Sequence, residues 1–305
     1  MPVLNVRHVT TYRYRQQVSL GEHRLMFRPR DSWDQRLLDA KLAITPSPSS
    51  VRWVHDVFGN CVTVVEFSRR AKELRFESTI RLDHSPISPV DFPIAAHAQI
   101  YPFSYDAEEM PDLLRSVERQ YPDRDYELYR WARQFVPSEG QVATYDLLAT
   151  ITHAIRNNFT YVSRAEMGIQ SPLTTLELRS GSCRDFALLM MEAVRSLGLA
   201  ARFVSGYLHL PVRDGESYSG GGSTHAWVQV YIPGAGWMEF DPTNGIVGNR
   251  DLIRVAVARD PLQAVPIWGT WTGFPSASLG LSVDVQITCE STEADAQASA
   301  TAELT

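Results

Sequence analysis

Between residues 180 and 245 the sequence gathers side chains able to do covalent chemistry: Gly181-Ser182-Cys183-Arg184-Asp185, then Thr224-His225-Ala226-Trp227, then Glu239-Phe240-Asp241-Pro242-Thr243. A thiol reacts as its thiolate, and a free cysteine is mostly protonated near neutrality. A helix N-terminus favours the anion through its unpaired N–H groups and its dipole. Cys183 stands at such a point, after a Gly-Ser turn and directly before an apolar helical pattern (Phe186, Ala187, Leu189, Met190, Ala193, Val194, Leu197) that Gly198 is suited to cap. The same free amides can bind an oxyanion, which makes the Cys183 N–H a candidate donor. A thiol nucleophile also needs a histidine to take its proton and hand it to a leaving amine. A carboxylate or amide must then fix the histidine's tautomer.

The hairpin downstream of that helix offers partners by parity alone. Ala226, Val228, Val230 and Ile232 form one apolar face, and Met238 and Phe240 are the apolar pair of the next strand, all even-numbered. Strands that share a core face must pair even with even. The opposite face then carries His225, Trp227, Gln229 and Tyr231 beside Trp237, Glu239 and Asp241, so His225 and Asp241 fall on one side. This pairing demands a loop of three or five residues around Pro233-Gly234-Ala235-Gly236, or a bulge. Tyr161 and Trp227 are candidates for a second oxyanion donor, and Gln170 and Arg184 for groups bordering the site.

The elements that must hold these residues follow from periodicity. Residues 1–85 read as strands without a helical interruption: residues 41–44 alternate, as do Leu74, Phe76, Ser78, Ile80 and Leu82, and Phe58-Gly59-Asn60 is a hairpin signal between residues 51–57 and 61–67. An antiparallel β-sandwich is expected there. Prolines at 86, 89, 93, 102, 111, 122 and 137 leave room only for short helices at 110–121 and 126–135, a connecting segment that packs rather than floats. Helical spacing returns at 145–157, and strands follow the Cys183 helix at 201–210, 224–232 and 237–241. From Ser291 the chain is Ala, Thr, Ser and Glu without periodicity, a loose tail.

Composition excludes several classes. A chain of 305 residues with 44% hydrophobic and 21% charged residues is ordinary for a soluble two-domain protein. Twenty-nine basic against 35 acidic residues, a formal charge of −6 with no long run of either sign, argue against nucleic-acid or anionic-membrane partners. No secretion signal opens the chain and no apolar stretch is long enough to span a bilayer, so a reducing cytoplasm is expected, with any important cysteine acting as a thiol. Cys61 and Cys289 read as inert, and no cysteine has a second Cys or His close enough for a zinc site. Gly220-Gly221-Gly222 lacks the strand-turn-helix context of a phosphate loop and reads as a mobile loop bordering the cleft. His8, His153 and His209 read as structural or solvent-facing.

From about residue 148 to 273 the chain resembles the transglutaminase-like superfamily, in particular its bacterial cysteine-protease-like branch. The resemblance is carried by residues 181–187, by Ala201-Arg202-Phe203-Val204-Ser205-Gly206-Tyr207-Leu208, by residues 224–228 and by residues 237–243, linked motifs in one order. The N-terminal third, from His8-Val9-Thr10-Thr11-Tyr12 through Asp56-Val57-Phe58-Gly59-Asn60, looks like the β-rich domain that accompanies this branch. The resemblance implies an α+β fold with a papain-like, transglutaminase-like core and Cys183 as nucleophile at a helix N-terminus. It implies His225 as acid/base and Asp241 as orienting carboxylate. It implies no cofactor, and no metal, because the calcium-dependent animal members carry extra domains. The expected organisation is a β-rich domain over 1–95, a Pro-rich connection over 96–140, the catalytic core over 141–288 and a tail over 289–305. Residues 251–260 depart from the branch's pattern, with Leu252 where histidine is common and Ala258 where glycine is. That departure bears on substrate preference and leaves the triad untouched.

The expected reaction is acyl transfer at amide bonds of a peptide, protein or small amide through a thioester. Water as acceptor makes the chain a peptidase or amidase, and hydrolysis is favoured because water is the commonest acceptor and cytosolic protein cross-linking would endanger the cell. An amine acceptor makes it a transglutaminase. The rival from another class is a non-catalytic peptide-binding module, against which the intact Cys183, His225 and Asp241 count. A third reading, a chain that works only within a larger assembly, would show as a stable complex on sizing.

Overall fold

The computed structural model describes residues 3–86, 93–164, 168–209 and 221–290. In chain order the main elements begin with strands β1 (Val3–Leu25), β2 (Gln35–Thr45), β3 (Ser50–His55), β4 (Cys61–Glu66) and β5 (Ala71–His84). Helices α1 (Met110–Val117), α2 (Glu127–Arg133), α3 (Thr144–Asn158), α4 (Pro172–Leu178) and α5 (Cys183–Ser196) follow. Strands β6 (Ala201–Leu208), β7 (His225–Ile232), β8 (Gly236–Asp241), β9 (Leu252–Ala258), β10 (Ile267–Thr272) and β11 (Ser278–Cys289) complete an α+β chain. It divides into two compact units, Met1–Pro86 with Pro266–Thr305, and Ile87–Val265.

The first unit is organised by β1. Leu4, Val6, His8 and Thr10 alternate as its buried residues, the period a half-buried strand requires. Its first part pairs with β5 on one side and β11 on the other, and its last residues pair with β4 and β10. Register shifts between Arg13 and Val18 and between Leu20 and His23 let the strand turn from one half of the seven-stranded sheet into the other. The expected sandwich therefore takes the form of one curled antiparallel sheet. Val18, Leu20 and Leu25 of β1 meet Val65, Leu74 and Phe76 in its core.

The chain's far end corrects the expected boundaries. Residues 266–288, read from sequence as the end of the catalytic core, contribute β10 and β11 to the first unit. The alternation of Leu279, Leu281, Val283 and Val285 specifies a strand but not its neighbour, and the open edge of β1 supplies it. The first stretch in turn ends at Pro86 rather than near 95. Cys289 still belongs to β11, Glu290 N–H donates to Val3 O at 2.8 Å, and Arg81 holds the Glu290 carboxylate at 2.7 and 2.8 Å. The tail from residue 291 lies outside the described residues.

In the second unit a five-stranded antiparallel sheet runs in the order of the two-residue strand Ile246–Val247, then β8, β7, β6 and β9. Helix α5 packs against β6 and β7, and α1 to α4 pack on α5 in turn, so the Pro-rich 96–140 segment is part of this unit. Phe186, Leu188, Leu189, Met190, Met191 and Val194 are all fully or almost fully buried, which explains a helix apolar on nearly every side. Helix α4 had no periodic signal in the sequence; its start is fixed by Ser171, whose hydroxyl accepts the Thr174 N–H at 3.1 Å, and by Pro172 in the first turn. Strands β7 and β8 pair Val228 with Phe240, Val230 with Met238 and Ile232 with Gly236. Even meets even, across a three-residue loop, as the parity of the apolar residues requires.

Candidate active site

Cys183 is the first residue of α5 and Ser182 its N-cap. The preceding Ser180–Gly181 segment pairs in parallel with Thr160–Tyr161, which sets the entry to the helix. Asp185 reaches back from the first turn to accept the Ser182 N–H at 2.8 Å, one arm of a capping box. Asp185 N–H and Phe186 N–H both donate to Ser182 O at 3.0 Å. Among the described residues no acceptor takes the Cys183 N–H, so that amide is available to a ligand beside the thiol.

His225 and Asp241 come from the neighbouring strands β7 and β8. His225 Nε2 donates to Asp241 Oδ2 at 2.8 Å. The carboxylate is fixed in turn: Thr243 N–H donates to Oδ1 at 2.8 Å and Asn244 Nδ2 to Oδ2 at 2.8 Å. With Nε2 committed to Asp241, Nδ1 is the ring nitrogen left for a proton exchange, and among the described residues it has no hydrogen-bond partner. Cys183 and Asp241 both act electrostatically on the ring and favour its charged form. His225 is 1% exposed and Asp241 0%, while Cys183 keeps 7%, so the thiol is the member of the trio nearest solvent.

Electrostatics at the trio oppose burial and win. Burial disfavours a charged imidazole, but the Asp241 carboxylate and then Cys183 outweigh it and raise the His225 pKa to about 10. Burial likewise pushes Asp241 up, yet the charge and hydrogen bond of His225, with Asn244 and Thr243, hold it below the ordinary aspartate value. The trio thus favours an imidazolium locked to a carboxylate, a cation beside the sulfur. Among the described residues no group of three or more His, Cys, Asp or Glu side chains is arranged to hold a metal ion, and no helix is long and apolar enough to cross a membrane.

The remaining sequence candidates part company here. Tyr161 lies opposite Gly181, half-buried, its pKa pushed up to about 12 by burial and by the negative charge of Cys183, with Asp241 contributing. It borders the trio. Trp227 is fully buried and stacks on His225, ring centroids 6.0 Å apart at 27°. Its Nε1 has no hydrogen-bond partner among the described residues. Arg184 follows Cys183 in the first turn of α5, half-buried. Gln170 is spent elsewhere: its side-chain amide donates to Ser180 O at 2.9 Å and its N–H to Asp185 at 2.7 Å, so it braces the loop before Cys183 and is not a free substrate contact. Leu252 and Ala258 are buried within β9, opposite Leu208 and Phe203. Gly220 lies outside the described residues.

Asn244 escaped the sequence reading, although an Asp-Pro-Thr-Asn turn after a strand is the kind of sequence in which a side chain caps its neighbour. Gly206 escaped it too. It pairs with His225, sits at a register shift between β6 and β9, and carries the Trp227 ring across its face. A Cβ there would stand 2.1 Å from Ile253 O and 2.7 Å from the Trp227 ring. Gly206→Ala is expected to lower unfolding free energy by about 1–3 kcal/mol through this overpacking, read by urea denaturation. An unchanged midpoint would mean that Trp227 and β9 yield freely.

A profile for the bacterial transglutaminase-like N-terminal region matches residues 4–83, and one for the transglutaminase-like superfamily matches residues 130–242. An uncharacterized Mycobacterium tuberculosis protein is 30% identical over 298 residues, 92% of this chain and 91% of its own length. One from Mycobacterium leprae is 26% identical over 288 residues, covering 92% and 98%. A protein-glutamine gamma-glutamyltransferase of Pseudomonas aeruginosa is 33% identical over 81 residues, 24% of this chain and 11% of that one. Among solved structures, a Cytophaga hutchinsonii protein proposed to be a cysteine protease superposes with a TM-score of 0.68 at 22% identity, covering 95% of this chain and 91% of that one, which shows a shared fold.

Proposed function

The chain belongs to the transglutaminase-like superfamily, and we propose that it is a cysteine-dependent acyl-transfer enzyme using Cys183, His225 and Asp241. One observation carries this reading: a buried imidazole bonded through Nε2 to Asp241 and acted on by the Cys183 thiol at the start of α5. In the proposed mechanism the Cys183 proton already rests on His225 Nδ1, and the sulfur attacks the carbonyl carbon of a peptide or carboxamide. The tetrahedral oxyanion is stabilised by the Cys183 N–H and by the Tyr161 hydroxyl. As the C–N bond breaks, His225 returns the proton to the leaving amine and a thioester remains on Cys183. Asp241 holds the ring and balances its charge throughout. Water then adds to the thioester with His225 as base, releasing the acid and the thiol.

An amine in place of water gives a transglutaminase, and the 81-residue likeness to a protein-glutamine gamma-glutamyltransferase favours keeping that reading beside hydrolysis. Both share every step up to the thioester.

The test is iodoacetamide alkylation of the folded protein across pH, resolved by peptide mass spectrometry, with the half-buried Cys61 and the exposed Cys289 as internal references. Cys183 is expected to react at pH 6 faster than Cys289 despite its burial, because a thiolate beside an imidazolium reacts where an ordinary thiol does not. Slower reaction of Cys183 than of Cys289 at every pH overturns the assignment.

A further inference from the structure

Asp185 is wholly buried two residues along α5 from Cys183. Its Oδ2 accepts the Ser182 N–H and the Ser182 hydroxyl, each at 2.8 Å, and its Oδ1 accepts the Gln170 N–H at 2.7 Å. The Arg164 guanidinium closes the cluster, Nη2 lying 2.6 Å from each carboxylate oxygen. Gly181 makes room for it, since a Cβ there would stand 2.8 Å from Asp185 Cβ and 3.2 Å from Gln170 Nε2. One carboxylate thus ties the chain at 164, at 170 and at 182 to the first turn of α5.

The cap is geometrically strong, but its charge has the wrong sign for its neighbour. A carboxylate in the first helical turn suits the helix dipole, yet it disfavours a thiolate in that same turn. Arg164 cancels that charge. Among the described residues, His225 from β7 and Tyr161 from the strand pair before α5 interact with Cys183 electrostatically, Asp241 from β8 lies behind the His225 ring, and Arg184 follows Cys183 in α5.

We propose that Arg164 is a positioning residue for the Cys183 thiolate, acting through Asp185: it neutralises the carboxylate that fixes the start of α5, so the turn is held without an uncompensated negative charge beside the sulfur. The proposal rests on Cys183 being the nucleophile. It separates two jobs that one substitution at Asp185 would confuse, holding the backbone and setting the field. The Arg164 side chain is 26% exposed, so a neutral replacement there remains accessible to water.

The experiment measures the pH dependence of Cys183 alkylation by iodoacetamide in the full chain for the wild type, Arg164→Gln, Asp185→Asn and the double variant. Arg164→Gln is expected to move the acid limb up by about one pH unit, which is about tenfold slower labelling at a pH below the limb. Asp185→Asn, which leaves a cation behind, does not move it up, and the double variant returns to within a few tenths of a unit of wild type. A purely structural role predicts instead that both single variants lose labelling at every pH and that the double is no better than either; that result overturns the proposal. Should Arg164→Gln fail to fold by circular dichroism, Arg164→Lys keeps the charge with poorer geometry. Its limb should stay near the wild-type position, and a full-unit displacement sinks the idea. A wild-type Cys183 no more reactive than Cys61 and Cys289 would instead remove the nucleophile reading itself.

Discussion

Cys183→Ala should abolish acyl-enzyme formation while leaving the protein folded. With p-nitrophenyl acetate as an activated acyl donor, the wild type is expected to release a burst of nitrophenol and carry an acetyl group on the peptide containing Cys183. The variant should show neither, with turnover down by about 10⁴–10⁶-fold, the scale on which loss of a triad nucleophile is felt. The fold should survive because the substitution removes a single heavy atom from a site that is already 7% exposed, at a cost of roughly 1 kcal/mol. Asp185, Ser182 and Gln170 still cap and brace α5 without the sulfur. Cys61→Ser serves as the control, since Cys61 lies in β4 of the other unit and should leave the burst intact. An acetyl adduct that follows Cys61 or Cys289 instead would move the chemistry away from α5 altogether.

What the sequence revealed of this site and what it hid divide along the range of the constraint. Parity placed His225 and Asp241 on one face because the β7 and β8 register is set locally, by the alternation of Val228, Val230, Met238 and Phe240 across a three-residue loop. The start of α5 was readable for a similar reason, a turn followed by an apolar helical pattern. Arg164 was not, because its partner lies 21 residues away and an arginine in a loop carries no periodic signal. Gly206 was quoted only as part of a motif, since the need for a bare Cα comes from Ile253 and Trp227, groups distant in sequence. In the first unit, β11 alternates as clearly as any strand, yet its partner β1 stands at the opposite end of the chain. Alternation names a strand and is silent on which edge it completes. That is why the core was drawn too long at its C-terminal side, while three of the five strands of its sheet were read from the sequence.

Asp241→Asn is expected to cut kcat by about 10²–10⁴-fold with KM changed far less, because it leaves the acyl-binding groups in place and disturbs only the histidine. Two effects combine. The amide can present its N–H₂ to Nε2, which favours the wrong tautomer and leaves Nδ1 protonated when the ring is neutral. The amide also removes the charge that offsets burial. In the wild type that offset holds the His225 pKa near 10; without the carboxylate only Cys183 still opposes burial, and the ring's pKa is expected to fall well below the wild-type value. The sign of the stability change separates this account from simple damage. A group whose pKa is raised on folding contributes stability that is fully present below its unfolded value and is lost as pH rises through the folded one, so the wild type should lose stability between about pH 6.5 and 10. In Asp241→Asn the buried histidine keeps only Cys183 to favour its charged form. The stability that the raised pKa lends should shrink, so the decline through this group toward pH 10 should be smaller than in the wild type. Urea unfolding at pH 5, 7 and 9 reads both slopes. Parallel curves for the two proteins would show that Asp241 does not control the charge of His225, and the role given to the carboxylate would have to go to Asn244 and the surrounding turn.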